Sequence, residues 1–312
     1  MPKVGIIIPV YGVEKYIERC ARSLFEQTLD DIEYLFIDDC TLDHSIKILN
    51  SVLEEYPQRK PQVRIHKMEK NSGQAAVREW GMRNVSGDYV IHCDSDDWVA
   101  PDMYQLLYKK AMEEDADIVC CQYYKNYGEI NKIEAYIPIN GLLTGPLWNK
   151  LVRRSLITNN EISYPVANKA EDGALMVQLS FFARKIAYIA EPLYYYFQNP
   201  ESICRVMTEK AMLKRLEEAR QNTELCISFL KKQNALNGHE HDIISWKKSC
   251  RDNLLPYYNK RKYRNMWRNT YPEINRQLLH DPQYSIHAKI NFLMDYLGLR
   301  NIWLKIKKVL YK

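Results

Sequence analysis

Asp94-Ser95-Asp96-Asp97, followed by Trp98, is the stretch of this 312-residue sequence with the most obvious capacity for chemistry. Three carboxylates in four positions repel one another. Placed where the apolar run Tyr89-Val90-Ile91-His92-Cys93 ends, they call for a divalent cation to neutralise them, and the cation in turn implies a bound phosphate. The plainer use for such acids is to cap the helix that Pro101-Asp102 opens or to stay solvated in a loop. A lone Asp pair would suit that use; three Asp after a buried strand suit the metal better. The carboxyl end of a strand is also where open α/β sheets bind ligands.

The elements that must hold this cluster alternate. Val4 to Pro9 reads as a strand, followed by Val13, Ile17, Cys20, Ala21, Leu24 and Phe25 at helical spacing. Ile32 to Ile37 is a second strand running into Asp38-Asp39, and a helix follows from about Asp43. Val63 to His66, Asp88 to Cys93 and Asp117 to Cys121 give three more strands, with a helix over Gly73 to Asn84. This predicts an α/β fold, a mostly parallel sheet with helices on both faces. From Tyr123 to Pro146 the pattern weakens into loops and edge strands. Glu171 to Ala183 reads as a helix, and Ile186 to Ile189 and Leu193 to Phe197 as two short strands. Beyond Arg205 the pattern is helical.

The average charge of +5 hides a split. Residues 1–204 carry 22 Lys+Arg against 29 Asp+Glu, and residues 205–312 carry 22 against 10. A basic tail on an acidic body faces something anionic: a membrane surface, a nucleic acid or the body itself. The eight cysteines form no CxxC pair and no zinc spacing, and read as reduced, buried residues of a cytoplasmic protein. No apolar run is long enough for a signal peptide or a spanning helix, which predicts a soluble or peripheral protein.

Five segments in order resemble the family 2 inverting glycosyltransferases of the GT-A (Rossmann-like) fold. They are Ile8 to Tyr16, Asp38-Asp39-Cys40-Thr41-Leu42-Asp43, Asn71-Ser72-Gly73 through Arg78 and Gly81, Asp94 to Trp98, and Glu171-Asp172. The resemblance covers residues 3 to about 202. It implies a catalytic domain over 1–204 and leaves 205–312 as a basic helical extension. It implies that Pro9, Tyr11, Glu14, Asp39, Gly73, Arg78 and Asp96 bind the nucleotide, with Pro9 and Tyr11 walling the base and Asp39 accepting from the imide N–H of uracil. Asp97 is then the direct ligand of Mn2+ or Mg2+, with Asp96 on metal or ribose and Asp94 behind them. Asp172 is the general base, positioned with the acceptor by Glu171; first-turn acids complementing a helix dipole are the alternative. Cys40-Thr41-Leu42 stands where the family has Gly-Ser-Thr, and Ala170 stands where it has Gly.

What the resemblance implies is transfer of a sugar from a nucleotide-diphosphate sugar, UDP foremost, to a hydroxyl of a glycan or lipid-linked acceptor in bacterial surface-polysaccharide or lipopolysaccharide assembly. No nucleic-acid partner is expected. A nucleotidyltransferase making sugar nucleotides would want a Gly-rich basic loop after the first strand, which Tyr11-Gly12-Val13-Glu14 is not. A catalytically silent binding module would have no use for Asp96, Asp97 and Asp172. In the tail, Ile302, Ile306, Val309 and Leu310 share a helical face opposite Lys305, Lys308 and Lys312. That face fits either an anionic leaflet on the cytoplasmic side of a membrane or a docked helix.

Overall fold

The computed structural model describes residues 2–134, 142–199, 208–300 and 302–304. The chain divides into two compact units, Met1–Arg205 and Val206–Lys312.

In the first unit the strands β1 (Val4–Val10), β2 (Ile32–Asp38), β3 (Val63–Lys67) and β4 (Tyr89–His92) pair in parallel in the order β3-β2-β1-β4. Helices α1 (Ile17–Phe25), α2 (Ser45–Glu54) and α3 (Gln74–Asn84) connect them. Because both faces are covered, β1 and β2 are near-continuous apolar runs. Alternate residues of β1 serve opposite layers. Ile6 and Ile8 pack in one core with Leu24 of α1 and with Met103 and Leu107 of α4 (Met103–Glu114). Ile7 packs in the other with Val77 and Met82 of α3 and with Leu175 and Leu179 of α6 (Glu171–Phe182). Gly81 allows α3 to approach closely: a Cβ there would lie 2.5 Å from Ile7 Cγ2 and 2.9 Å from Ile37 Cδ1.

Past β4 the sheet is mixed. The order continues β4-β8-β6-β9-β5, with β5 (Trp98–Val99), β6 (Ile118–Asn126), β8 (Lys150–Arg153) and β9 (Ile186–Phe197), while β7 (Asn131–Glu134) hangs on β6. β8 runs antiparallel to both β4 and β6, and β9 parallel to β6. A five-residue helix, α5 (Arg154–Thr158), follows β8. The two short strands expected over 186–197 are one strand of 12 residues. Its pairing with β6 shifts register between Cys121 and Tyr123, opposite Pro192. Proline cannot donate to a ladder, so a break of this kind is where a strand tolerates one.

The second unit includes the helices α7 (Glu209–Lys232), α8 (Glu240–Asp252), α9 (Arg261–Asn269), α10 (Ile274–His280) and α11 (Ile286–Leu297). Its core gathers Met212, Ile244, Tyr263, Trp267, Leu278 and Phe292 around the buried Arg251, whose guanidinium lies 4.1 Å from the Trp267 ring centroid. Ile286, Leu297, Ile302 and Leu304 are exposed. Lys305, Ile306, Lys308, Val309, Leu310 and Lys312 fall outside the described residues. No described helix is long and apolar enough to cross a membrane. Seven cysteines are described, all free, six of them buried.

Candidate active site

Four of the five functional segments begin where a strand of the parallel half ends. After β2 the backbone turns through Cys40 at φ 58°, a left-handed conformation supplied here without glycine. This turn fixes Asp39, which is buried and accepts from the backbone N–H groups of Ser72 (2.7 Å) and Gly73 (2.9 Å). Each carboxylate oxygen has two lone pairs, so the two bonds leave acceptor capacity. Gly73 sits at φ +83° just before α3. Pro9 is half-buried at the end of β1, and Tyr11 is 44% exposed beyond it. Glu14, expected at the nucleotide, is committed to the start of α2: its Oε2 accepts from the His44 backbone N–H (3.0 Å) and lies 3.1 Å from His44 Nδ1. The His44 N–H also lowers its pKa.

After β4 the three aspartates separate by task. Asp97, expected as the direct metal ligand, is fully buried, and each of its oxygens accepts from a protein donor. Tyr194 donates its hydroxyl to Oδ2 (2.7 Å) and Phe197 its backbone N–H to Oδ1 (2.7 Å). Burial, and then Asp96 and Asp94, push its carboxyl well up. Asp97 thus ties the strand end to β9. Asp96 and Asp94 are half-buried. Asp96 accepts from the Asn199 amide through Oδ2 (3.0 Å), and Asp94 from Arg78 through Oδ1 (2.8 Å). Burial first and the charge of Asp94 second raise the Asp96 pKa, a charge conflict that a cation would relieve. Among the described residues no group of three or more His, Cys, Asp or Glu is gathered as a complete cation cage. Two carboxylates fit a Mg2+ or Mn2+ shared with substrate phosphates, the usual arrangement for such ions, better than a cation held by protein alone.

The fifth segment comes from α6. Ala170 precedes it at φ 66°, again left-handed without glycine. Glu171 is buried, and its Oε1 accepts from Arg78 Nη1 (2.5 Å). Burial pushes the Glu171 carboxyl up while Arg78 pulls it down. Asp172 is half-buried, and its Oδ1 accepts from the Gly173 N–H (2.8 Å). Arg78, expected to bind the nucleotide, is itself 2% exposed and spends both terminal nitrogens on protein carboxylates. It thus joins the Asp94 cluster to the Glu171-Asp172 pair across 93 and 16 positions of sequence.

Several supporting residues lie outside the five segments. Asn168 accepts the Ala75 N–H (2.9 Å) at the start of α3. Buried Lys150 donates to Pro146 O (2.6 Å) and Asn149 Oδ1 (2.8 Å). Burial pulls its pKa down to about 8, against the opposing charge of Asp172. Tyr194 and Asn199 show their purpose only once β9 is paired. Trp148-Asn149-Lys150 and Ile186 to Tyr196 also resemble the family's surroundings of the acidic pair.

Residues 5–181, more than half of the chain, match the family model of glycosyl transferase family 2. The chain belongs to that family. This glycosyltransferase is 30% identical over 261 residues to the putative glycosyltransferase EpsH of Bacillus subtilis, covering 78% of this chain and 73% of that protein. To glycosyltransferase GlyA of Streptococcus pneumoniae it is 29% identical over 233 residues, 67% of this chain but 32% of GlyA. Among solved structures it is similar to Staphylococcus aureus TarS (TM-score 0.63, 18% identity, 96% of this chain and 55% of that one). It is similar also to TarS 1–349 in complex with UDP-GlcNAc (TM-score 0.60, 16% identity, 97% and 92%). A third is the mannosyltransferase PcManGT of Pyrobaculum calidifontis in complex with GDP-Man and Mn2+ (TM-score 0.56, 14% identity, 97% and 88%). At these identities the structures establish the GT-A fold of the glycosyltransferase. The chain spans about a third of GlyA and just over half of the longer TarS chain.

Proposed function

We propose that this glycosyltransferase moves a sugar from a UDP-sugar to a hydroxyl of a glycan or lipid-linked acceptor with inversion, in bacterial surface-polysaccharide assembly, and that residues 1–204 are its catalytic domain. The observation that carries this reading is the convergence, through Arg78, of the carboxylates after β4 with the acidic pair that opens α6. Inversion by direct displacement needs a base beside the acceptor and a stabilised diphosphate behind the sugar. Asp172, the half-buried member of its pair, takes the proton from the acceptor hydroxyl as the new glycosidic bond forms. Asp39 accepts from the imide N–H of uracil, with Tyr11 and Pro9 walling the base and the Gly73 N–H orienting the Asp39 carboxylate. Asp96, with Asp94, would hold the divalent cation. When bound, the cation supplies charge stabilisation to the departing diphosphate. The relatives' names, and the UDP-GlcNAc complex of TarS, support a nucleotide-sugar donor.

Titration of the full chain with UDP by calorimetry, with Mn2+ and again with EDTA, tests the reading. Markedly tighter binding with Mn2+, lost in Asp96→Asn, is expected. Equal affinity in both conditions removes the cation, and no binding of UDP in either removes the donor.

We propose also that the basic extension associates with anionic membrane surfaces, supported by its charge excess and by the exposed Ile286, Leu297, Ile302 and Leu304. Failure of the intact protein to sediment with anionic vesicles at low salt would dismiss this.

A further inference from the structure

Arg78 sits where stability alone gives little reason for an arginine. It lies on the inward face of α3, 2% exposed, and its Nε is buried without an acceptor among the described residues. Burial lowers the pKa of the guanidinium, while the charges of Asp94, Glu171 and Asp172 and the Asp94 hydrogen bond raise it above the ordinary value. A buried ion network of this kind is commonly no more stable than a well-packed apolar replacement. What it offers is geometry. A guanidinium is planar and rigid, and its two terminal nitrogens point to two places at a fixed separation. Here those places are Asp94, at the end of β4, and Glu171, at the start of α6.

A second tie runs beside the first. Asn168 accepts the Ala75 N–H at the start of α3, so α3 holds the chain on both sides of the left-handed bend at Ala170. The residue after Glu171 is Asp172, whose carboxylate direction follows from that first turn of α6.

We infer that Arg78 is a positioning residue. It acts as a strut between the cation-binding end of β4 and the first turn of α6, setting the position of Asp172 relative to the donor without touching the donor's phosphates. The inference rests on the reading of Asp172 as the base. It replaces the expected nucleotide contact with an internal one, and the two make different kinetic predictions.

The test is a double-mutant cycle of Arg78→Lys and Glu171→Gln on the full chain, both substitutions keeping a polar group in the buried site. Lysine supplies a compact point charge on a flexible stem and lacks the rigid fork that fixes the two carboxylates relative to each other. UDP affinity in the presence of Mn2+, read by calorimetry, should stay within about threefold of the wild type. The kcat for transfer should fall by roughly 10²-fold in each single variant, the scale of an ångström-level displacement of a reacting group, with the donor KM little changed. The double variant should lose little more than the worse single one, because both break the same strut. Melting curves confirm that each variant is folded, and Glu171→Gln, which is isosteric, carries the kcat and affinity comparison alone if Arg78→Lys does not fold. A loss of UDP affinity matching the loss of kcat in Arg78→Lys, with Glu171→Gln unaffected, would make Arg78 a donor ligand and overturn the inference. Multiplying effects in the double variant, or unchanged kcat in both singles, would also overturn it. A wild-type protein that binds UDP and transfers sugar while the strut variants behave normally leaves the proposed function standing; a wild type that does neither sinks both.

Discussion

The parallel half of the sheet and the mixed half divide the labour of the site unequally. The parallel half presents Asp39, Asp94 and Asp96 from strand ends, each within a loop of its own strand. The mixed half, with α6, contributes the acidic pair and most of the bracing: Tyr194 and Phe197 of β9 on Asp97, and Asn199 just beyond β9 on Asp96. Asp96 and Asp97 are neighbours in sequence with the same side chain, yet one is half-buried at the ligand end and the other is sealed beneath it. The difference is not in the residues but in what β9 brings to them. Donor chemistry can thus be encoded locally, while its geometry depends on contacts about a hundred positions away.

If the halves separate donor binding from catalysis, the largest effect comes from the mixed half. Asp172→Asn keeps the shape of the side chain and removes its basicity, and transfer should fall by about 10²-fold or more, the scale of a general-base contribution. UDP affinity, measured by calorimetry on the same preparation, should not move. A parallel loss of UDP binding would break the division. Near-normal transfer would mean that another acid takes the proton.

Removing a brace sharpens the comparison from the other side. Tyr194→Phe leaves Asp97 Oδ2 and the Asp94 N–H, which donates to the Tyr194 hydroxyl at 3.1 Å, without their partner inside the core. Unpaired buried polar groups of this kind cost about 1–3 kcal/mol, read as a lower denaturation midpoint at unchanged slope. An unaltered midpoint would show that Asp97 is held by Phe197 alone and that β9 does not brace the parallel half.

The parallel half was legible because its signals are local. Val4 to Pro9 and Ile32 to Ile37 are continuous apolar runs bounded by turns, and they appear as β1 and β2 with one more residue each. The mixed half hides its order. Pro192 splits the 12-residue β9 into two apparent strands, β8 follows a stretch without alternation, and the two-residue β5 has no pattern at all. At the site the same rule held. The acidic clusters announced themselves by composition, but which Asp is buried, and that Arg78 faces inward, depend on long-range pairing that no spacing records. Glu14 resembled a nucleotide residue by its place in a motif, whereas its actual partner, the first turn of α2, lies 30 residues on.

The smallest predicted effect concerns the two places where the chain departs from glycine. Cys40 and Ala170 both adopt positive φ, so the backbone keeps the left-handed turns that glycine would make easily. A left-handed residue with a Cβ is strained by about 1–2 kcal/mol, while a glycine in its place gives the unfolded chain roughly 0.5–1 kcal/mol more entropy to lose. The balance favours glycine slightly, by about 0.5 kcal/mol at Ala170, where only a methyl group is removed. At Cys40 the gain is offset because the thiol contacts Met68 O at 3.0 Å. Ala170→Gly should therefore raise the denaturation midpoint a little, and Cys40→Gly should not. If the strain at Ala170 also holds the first turn of α6 in register, the stabilised variant will transfer sugar more slowly with unchanged UDP affinity. If stability rises and kcat stays constant, the bend serves the fold alone, and positioning of Asp172 rests on Arg78 and Asn168.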